Sequence, residues 1–234
     1  MKKISPKDKK KYIIRGIILL LVGIVGLVFA IRNLTNKDEN PFIDSNNLTD
    51  AEKFKNEYES LNNQKSDNGT EYIKIEISKD NPMKYVTYDE LMDILEDGSG
   101  IIYFGFPECP WCRNALPVLL DAAKEQNINE IYYFNAYDIR DEKVLNDNGE
   151  IVVNKEGTEE YNAIVDKLYD HLNVYEGLND ESIKRLYFPS VFFISNGKVV
   201  GSHVSTVDSQ EDPNVPLNYE QYEELKNIYV DNIK

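Results

Sequence analysis

Three rhythms of apolar residues run along this chain. In the first, residues from Ile13 to Ile31 are apolar almost without break, and Arg15 is the one charge among them. A helix needs roughly 20 such residues to cross a bilayer, and Arg15 lies near enough to one end to snorkel to the interface. The pattern predicts a membrane-spanning helix over residues 12–32. A cleaved signal peptide ending at Ala30 is the competing reading, but the run is long for one and Arg32 follows at once.

The second rhythm is helical. Phe54, Tyr58 and Leu61 predict a helix at about 50–62, inside an otherwise polar linker over 33–70. Thr87 and Glu90 have the spacing of a capping box, and Gly98 stops the helix they open. Leu116, Leu119, Leu120 and Ala123 mark a helix from about Cys109 to Gln126. Tyr161, Ile164, Val165, Leu168, Tyr169 and Leu172 mark another, opened by Thr158. "NDESIKRLY" (179–187) reads as a short helix, and Tyr222, Leu225, Ile228 and Tyr229 give a last one.

The third rhythm belongs to strands. "EYIKIEIS" (71–78) alternates, which predicts a half-buried strand, and "GIIYFGF" (100–106) is continuously apolar, which predicts a central one. "EIYYFNAYDI" (130–139) predicts the next. Asn148-Gly149 and Asn196-Gly197 are hairpin turns, the latter joining two strands of "PSVFFISNGKVVGSHVS". A strand–helix–strand unit followed by a hairpin and a helix makes an α/β protein, with a mixed sheet and helices on both faces.

Charge separates the first segment from the rest. Nine of the 26 basic residues but only one of the 41 acids precede residue 38, leaving 17 basic against 40 acidic residues from there on. Lysines crowd the N-terminal side of the apolar run, so residues 1–11 are expected in the cytoplasm and the remainder outside, anchored in the membrane. A body this acidic repels phosphates, which excludes nucleic acid as a partner.

The two cysteines, Cys109 and Cys112, both lie in "FPECPWCRNALP" (106–117). Such a pair is a redox couple, half of a metal site, or two buried thiols. Zinc asks for about four nitrogen or sulfur ligands, and the two histidines, His171 and His203, fall on different predicted elements. The pair sits where a strand gives way to a helix, and a helix N-terminus stabilises a thiolate with unpaired N–H groups and partial positive charge. Cys109 is then an exposed nucleophile, and Cys112, one turn on, resolves the mixed disulfide that Cys109 forms. Arg113 either favours the thiolate or is surface charge. Glu108 reads as a solvated loop acid, His203 as a solvent-facing strand residue, and Trp111 as exposed apolar surface beside the reactive sulfur. The acidic "DSQEDP" (208–213) lacks the spacing of a calcium loop.

From about Thr87 to Ile233 the chain resembles the thioredoxin superfamily. The resemblance rests on Cys109-Pro110-Trp111-Cys112 between an apolar strand and a helix, on Pro117 five residues later, and on Pro189 in "YFPSVFFISNGKVVG" with Gly197 eight residues after it. It implies a thioredoxin-like domain over residues 71–234, with a helical insertion at about 140–187. It also implies that Pro110 and Pro117 shape the site, and that Pro189 is cis and packs beside the cysteines. The Phe188 backbone would pair with a bound substrate. The chain departs from thioredoxin at Tyr103, where the family carries a buried acid, and at Ser205, where it carries a glycine. The C-P-W-C tetrapeptide is closer to that of glutaredoxins. In outline the chain is similar to exported Gram-positive thioredoxin-like proteins, including the bacteriocin transport accessory type. The implied function is extracytoplasmic thiol–disulfide exchange on exported proteins, with no cofactor and with a membrane electron-transfer partner. The alternative is a non-catalytic adaptor that docks an extended peptide beside Pro189.

Overall fold

The computed structural model describes residues 48–234. The expected membrane helix over 12–32 and its basic tail lie outside the described residues. Among the described residues, no helix is long and apolar enough to cross a membrane.

In chain order the elements are α1 (Asp50–Glu59), β1 (Met83–Tyr85), α2 (Tyr88–Glu96), β2 (Gly100–Phe104), α3 (Pro110–Glu125) and β3 (Ile131–Phe134). Then come β4 (Glu142–Leu145), β5 (Ile151–Lys155), α4 (Glu159–Leu168), a 3-10 turn (Tyr169–His171), β6 (Asn173–Val174) and β7 (Lys184–Arg185). The chain closes with β8 (Ser190–Ser195), β9 (Lys198–Val204) and α5 (Tyr219–Ile233). Reciprocal capping boxes open three helices: Thr49 with Glu52, Thr87 with Glu90, and Asn218 with Gln221.

The sheet runs β1-β3-β2-β8-β9. β1, β3 and β2 are parallel, β8 runs antiparallel to β2, and β9 runs antiparallel to β8. β2 is central, as its unbroken apolar run predicts. Its side chains alternate between two cores. Ile101 and Tyr103 join Val191 and Phe193 of β8 beneath α1, α3 and α5. Ile102 and Phe104 join Phe192 and Ile194 against α2 and α4. That period-two division puts helices on both faces of a mixed sheet. The β8–β9 turn requires its glycine: Gly197 has φ +69°, and a side chain there would collide with the Glu96 carbonyl.

Several expectations change. The compact unit begins at Leu48, so the boundary expected at residue 71 falls inside it. Phe54 and Tyr58 of α1 are fully buried, and a helix that contributes two aromatic rings to a core is not a tether. "EYIKIEIS" has the alternation of a strand, with Ile75 and Ile77 buried, yet joins no sheet ladder. Its Tyr72 N–H donates to the Gln64 carbonyl, and from Ile73 to Ile77 side chains bond the backbone instead. The Ile75 N–H donates to Asn62 Oδ1, the Ile77 N–H donates to Glu59, and the carbonyls of Ile73, Ile75 and Ile77 accept from Arg113, Asn62 and Lys55. "NDESIKRLY" is no helix. Asp180 accepts from the Ser182 N–H in a turn, and Lys184–Arg185 pair with Val174 and Asn173. In the 140–187 region, expected as a helical insertion, α4 is accompanied by the β4–β5 hairpin that Asn148-Gly149 predicts and by a second two-stranded ladder, β6–β7, that no sequence pattern indicated.

Candidate functional site

The site is built on the first turn of α3. Cys109 is the N-cap, with extended backbone (φ −72°, ψ 117°), and its Sγ accepts the Cys112 N–H at 3.2 Å. Sulfur thus takes the capping place usually filled by an oxygen. Pro110 follows as the first helical residue, where its missing N–H costs nothing. Pro117 lies inside α3 and withholds an N–H from the Arg113 carbonyl one turn back.

Across from the helix start, the Phe188–Pro189 peptide bond is cis. The Cys109 thiol donates to the Phe188 carbonyl at 3.6 Å. Strand β8 begins at once after Pro189 and is fixed to β2 by Ser190 pairing with Phe104. The structure therefore brings Cys109, Cys112, Pro110, Phe188 and Pro189 together. Trp111 is only half-buried and packs partly on the core that holds both cysteines, so it offers less exposed surface than expected.

Cys109 is also less exposed than expected, at 5%. It nonetheless lines a cleft of about 930 Å³ whose walls include Glu57, Leu61, Tyr72, Phe106 and Glu108. One side of its surroundings is aromatic. The Phe106 ring lies tilted against Tyr137 at 4.2 Å and meets Phe188 edge-on at 5.5 Å. Arg140 lies over the rings of Tyr137 and Phe188, at 4.5 and 5.4 Å.

The two thiols are pushed in opposite directions. Burial works to raise the Cys109 thiol. Hydrogen bonds from the Cys112 thiol and from the Cys112 and Trp111 N–H groups, with the charge of Arg140, outweigh burial and hold Cys109 below the ordinary cysteine value. Cys112 is fully buried. Burial, its own hydrogen bond to Cys109 and the Cys109 charge push its thiol far up. The arrangement provides a poised nucleophile at a cleft and a protonated thiol behind it, one helical turn away.

Arg113 is neither surface charge nor the cation that lowers Cys109. It is 1% exposed, and its guanidinium donates to the carbonyls of Ile73, Tyr58 and Pro107 and to Asn62 Oδ1, at 2.7–3.2 Å. It ties α1 and the 62–73 segment to the start of α3. The cation beside Cys109 is Arg140, which sequence reasoning did not single out, because it lies 31 positions on and comes near through the turn after β3. Glu108 is exposed, as expected. His203 is half-buried rather than solvent-facing. Its Nε2 bonds the Thr206 carbonyl at 2.7 Å and its ring meets Tyr229 edge-on.

Among the described residues, no group of three or more His, Cys, Asp or Glu side chains forms a candidate metal site. The chain matches no protein-family model and no curated protein.

Proposed function

We propose that the chain is a thiol–disulfide oxidoreductase of thioredoxin-like fold, with Cys109 as the attacking and Cys112 as the resolving thiol. The observation that carries this reading is the split between two adjacent thiols: one caps a helix, is held low and borders a cleft, and the other is held high and sealed from water. A pair of merely structural buried thiols needs no such division. The Phe188 carbonyl beside Cys109 supports the same reading, because it lies where an extended substrate backbone can pair.

In the reaction, the Cys109 thiolate attacks a substrate disulfide, forming a mixed disulfide and releasing one substrate thiolate. Cys112 then loses its proton and attacks Cys109 Sγ. The second substrate sulfur leaves with the electron pair, and the Cys109–Cys112 disulfide remains. Two electrons pass from the dithiol to the substrate, and the reverse sequence oxidises a substrate dithiol. The N-terminal apolar run supports placing this chemistry outside the membrane, on the thiols or disulfides of exported proteins, with a membrane electron-transfer partner resetting the pair.

Insulin reduction by the full chain tests the reading. Turnover that Cys109→Ser abolishes is expected; an intact protein that neither reduces disulfides nor oxidises dithiols overturns it. Membrane fractionation tests the anchor, and a mature N-terminus at Ile31 would contradict it.

A further inference from the structure

Resolution demands that Cys112 lose a proton from a place water does not reach. Cys112 is fully buried, among Phe104, Phe188, Phe192 and other apolar side chains. Apart from Cys109, the side-chain polar group that meets its thiol is the hydroxyl of Tyr103, from β2. Gly105 leaves room for that hydroxyl, which would collide with any side chain at that position. The Tyr103 hydroxyl is itself buried and shares a hydrogen bond with the Tyr58 hydroxyl of α1 at 3.3 Å. The Tyr58 hydroxyl in turn neighbours that of Tyr133, from β3. Tyr133 donates to Glu57 Oε1 at 3.4 Å, and the other Glu57 oxygen accepts from Tyr85 of β1. Glu57 faces the cleft that Cys109 lines.

We propose that the hydroxyls of Tyr103, Tyr58 and Tyr133 carry the Cys112 proton to the Glu57 carboxylate, which releases it to the cleft. The proposal rests on the disulfide-exchange reading above. Each hydroxyl accepts a proton on its oxygen while passing its own hydrogen on, so no tyrosinate forms. This suits rings whose burial keeps the Tyr58 and Tyr103 hydroxyls firmly protonated. The Cys112 sulfur keeps the electron pair and attacks Cys109. When the pair is reduced again, the chain runs in reverse and protonates Cys112.

The groups facing the two ends are few. Around Cys112 they are Cys109 and Tyr103, with Tyr58, Tyr133 and Tyr229 further off. Around Glu57 they are Tyr85, Tyr133 and Glu108. Burial there, reinforced by Glu108, outweighs the two hydroxyl hydrogen bonds and lifts the carboxyl above the ordinary range, toward a useful base. Glu57 accepts a proton only when ionised, so resolution should speed up as pH rises through that lifted value.

The test mixes the reduced full chain with an aromatic disulfide that releases a coloured thiolate at each step. The first phase reports attack by Cys109 and the second reports resolution by Cys112. Tyr103→Phe and Glu57→Gln should leave the first phase unchanged and slow the second, by roughly a hundredfold for Tyr103→Phe. Glu57→Gln should also remove the acid limb of the second phase, which loss of packing alone would not do. Second phases as fast as wild type in both variants overturn the relay. A wild type with no Cys112-dependent second phase removes the exchange reading and the relay with it, a different trace from the first.

Discussion

The two sides of the α3 start are unlike. On the cleft side, Cys109 meets backbone N–H groups, the Phe188 carbonyl, an aromatic wall and the half-buried cation Arg140. On the interior side, Cys112 meets apolar side chains and a hydroxyl. Only two residues separate the cysteines in sequence, yet one is eased toward thiolate and the other held as thiol. The contrast teaches that the helix terminus alone does not set reactivity. The N–H groups of the first turn reach only the capping sulfur, and the residue one turn in depends on what β2 and α1 place beneath it.

Removing either sulfur should break the contrast most completely. Cys109→Ser should abolish exchange, whereas Cys112→Ser should still attack and then accumulate the mixed disulfide, both read by mass spectrometry of the quenched reaction. Next in size is the tie behind the site. Arg113→Met removes the donor to the buried carbonyls of Tyr58 and Pro107, to the part-buried Ile73 carbonyl and to Asn62 Oδ1, and should cost about 2–4 kcal/mol in urea unfolding. Smaller again is the cation on the cleft side. Arg140→Gln should raise the Cys109 pKa and slow its alkylation at neutral pH by roughly three- to fivefold, with the difference shrinking as salt rises. Cys112 should not respond. Least informative about the thiols, and therefore a control, is the α4 cap. Thr158 accepts the Tyr161 N–H at 3.3 Å, so Thr158→Ala should cost about 1 kcal/mol of stability and leave both alkylation profiles in place.

The cleft side was the more legible of the two in sequence. A cysteine pair after an apolar strand already implies a helix start, because the proline at the first helical position and the leucine stripe behind it leave few other readings. The interior was legible only in pieces. Tyr58 was visible as a helical-stripe residue and Tyr103 as a strand residue, but their hydroxyls meet across 45 positions, which no local pattern reports. Arg113 did carry a signal: it lies three and seven residues before Leu116 and Leu120, on the apolar side of its helix, where a charge needs a partner. β1 escaped because three residues are too few to show a period. "EYIKIEIS" misled because alternation reports which side chains are buried, not what its N–H groups bond to, and here side chains of α1 and the residues after it replace a neighbouring strand.

The most direct test of the account is the pH dependence of alkylation at each thiol of the reduced full chain, resolved by peptide mass spectrometry. The account predicts that Cys109 reacts with an apparent pKa below the roughly 8.5 of a free cysteine, while Cys112 stays unmodified until the protein unfolds. Equal reactivity at the two positions, or faster modification of Cys112, would contradict it.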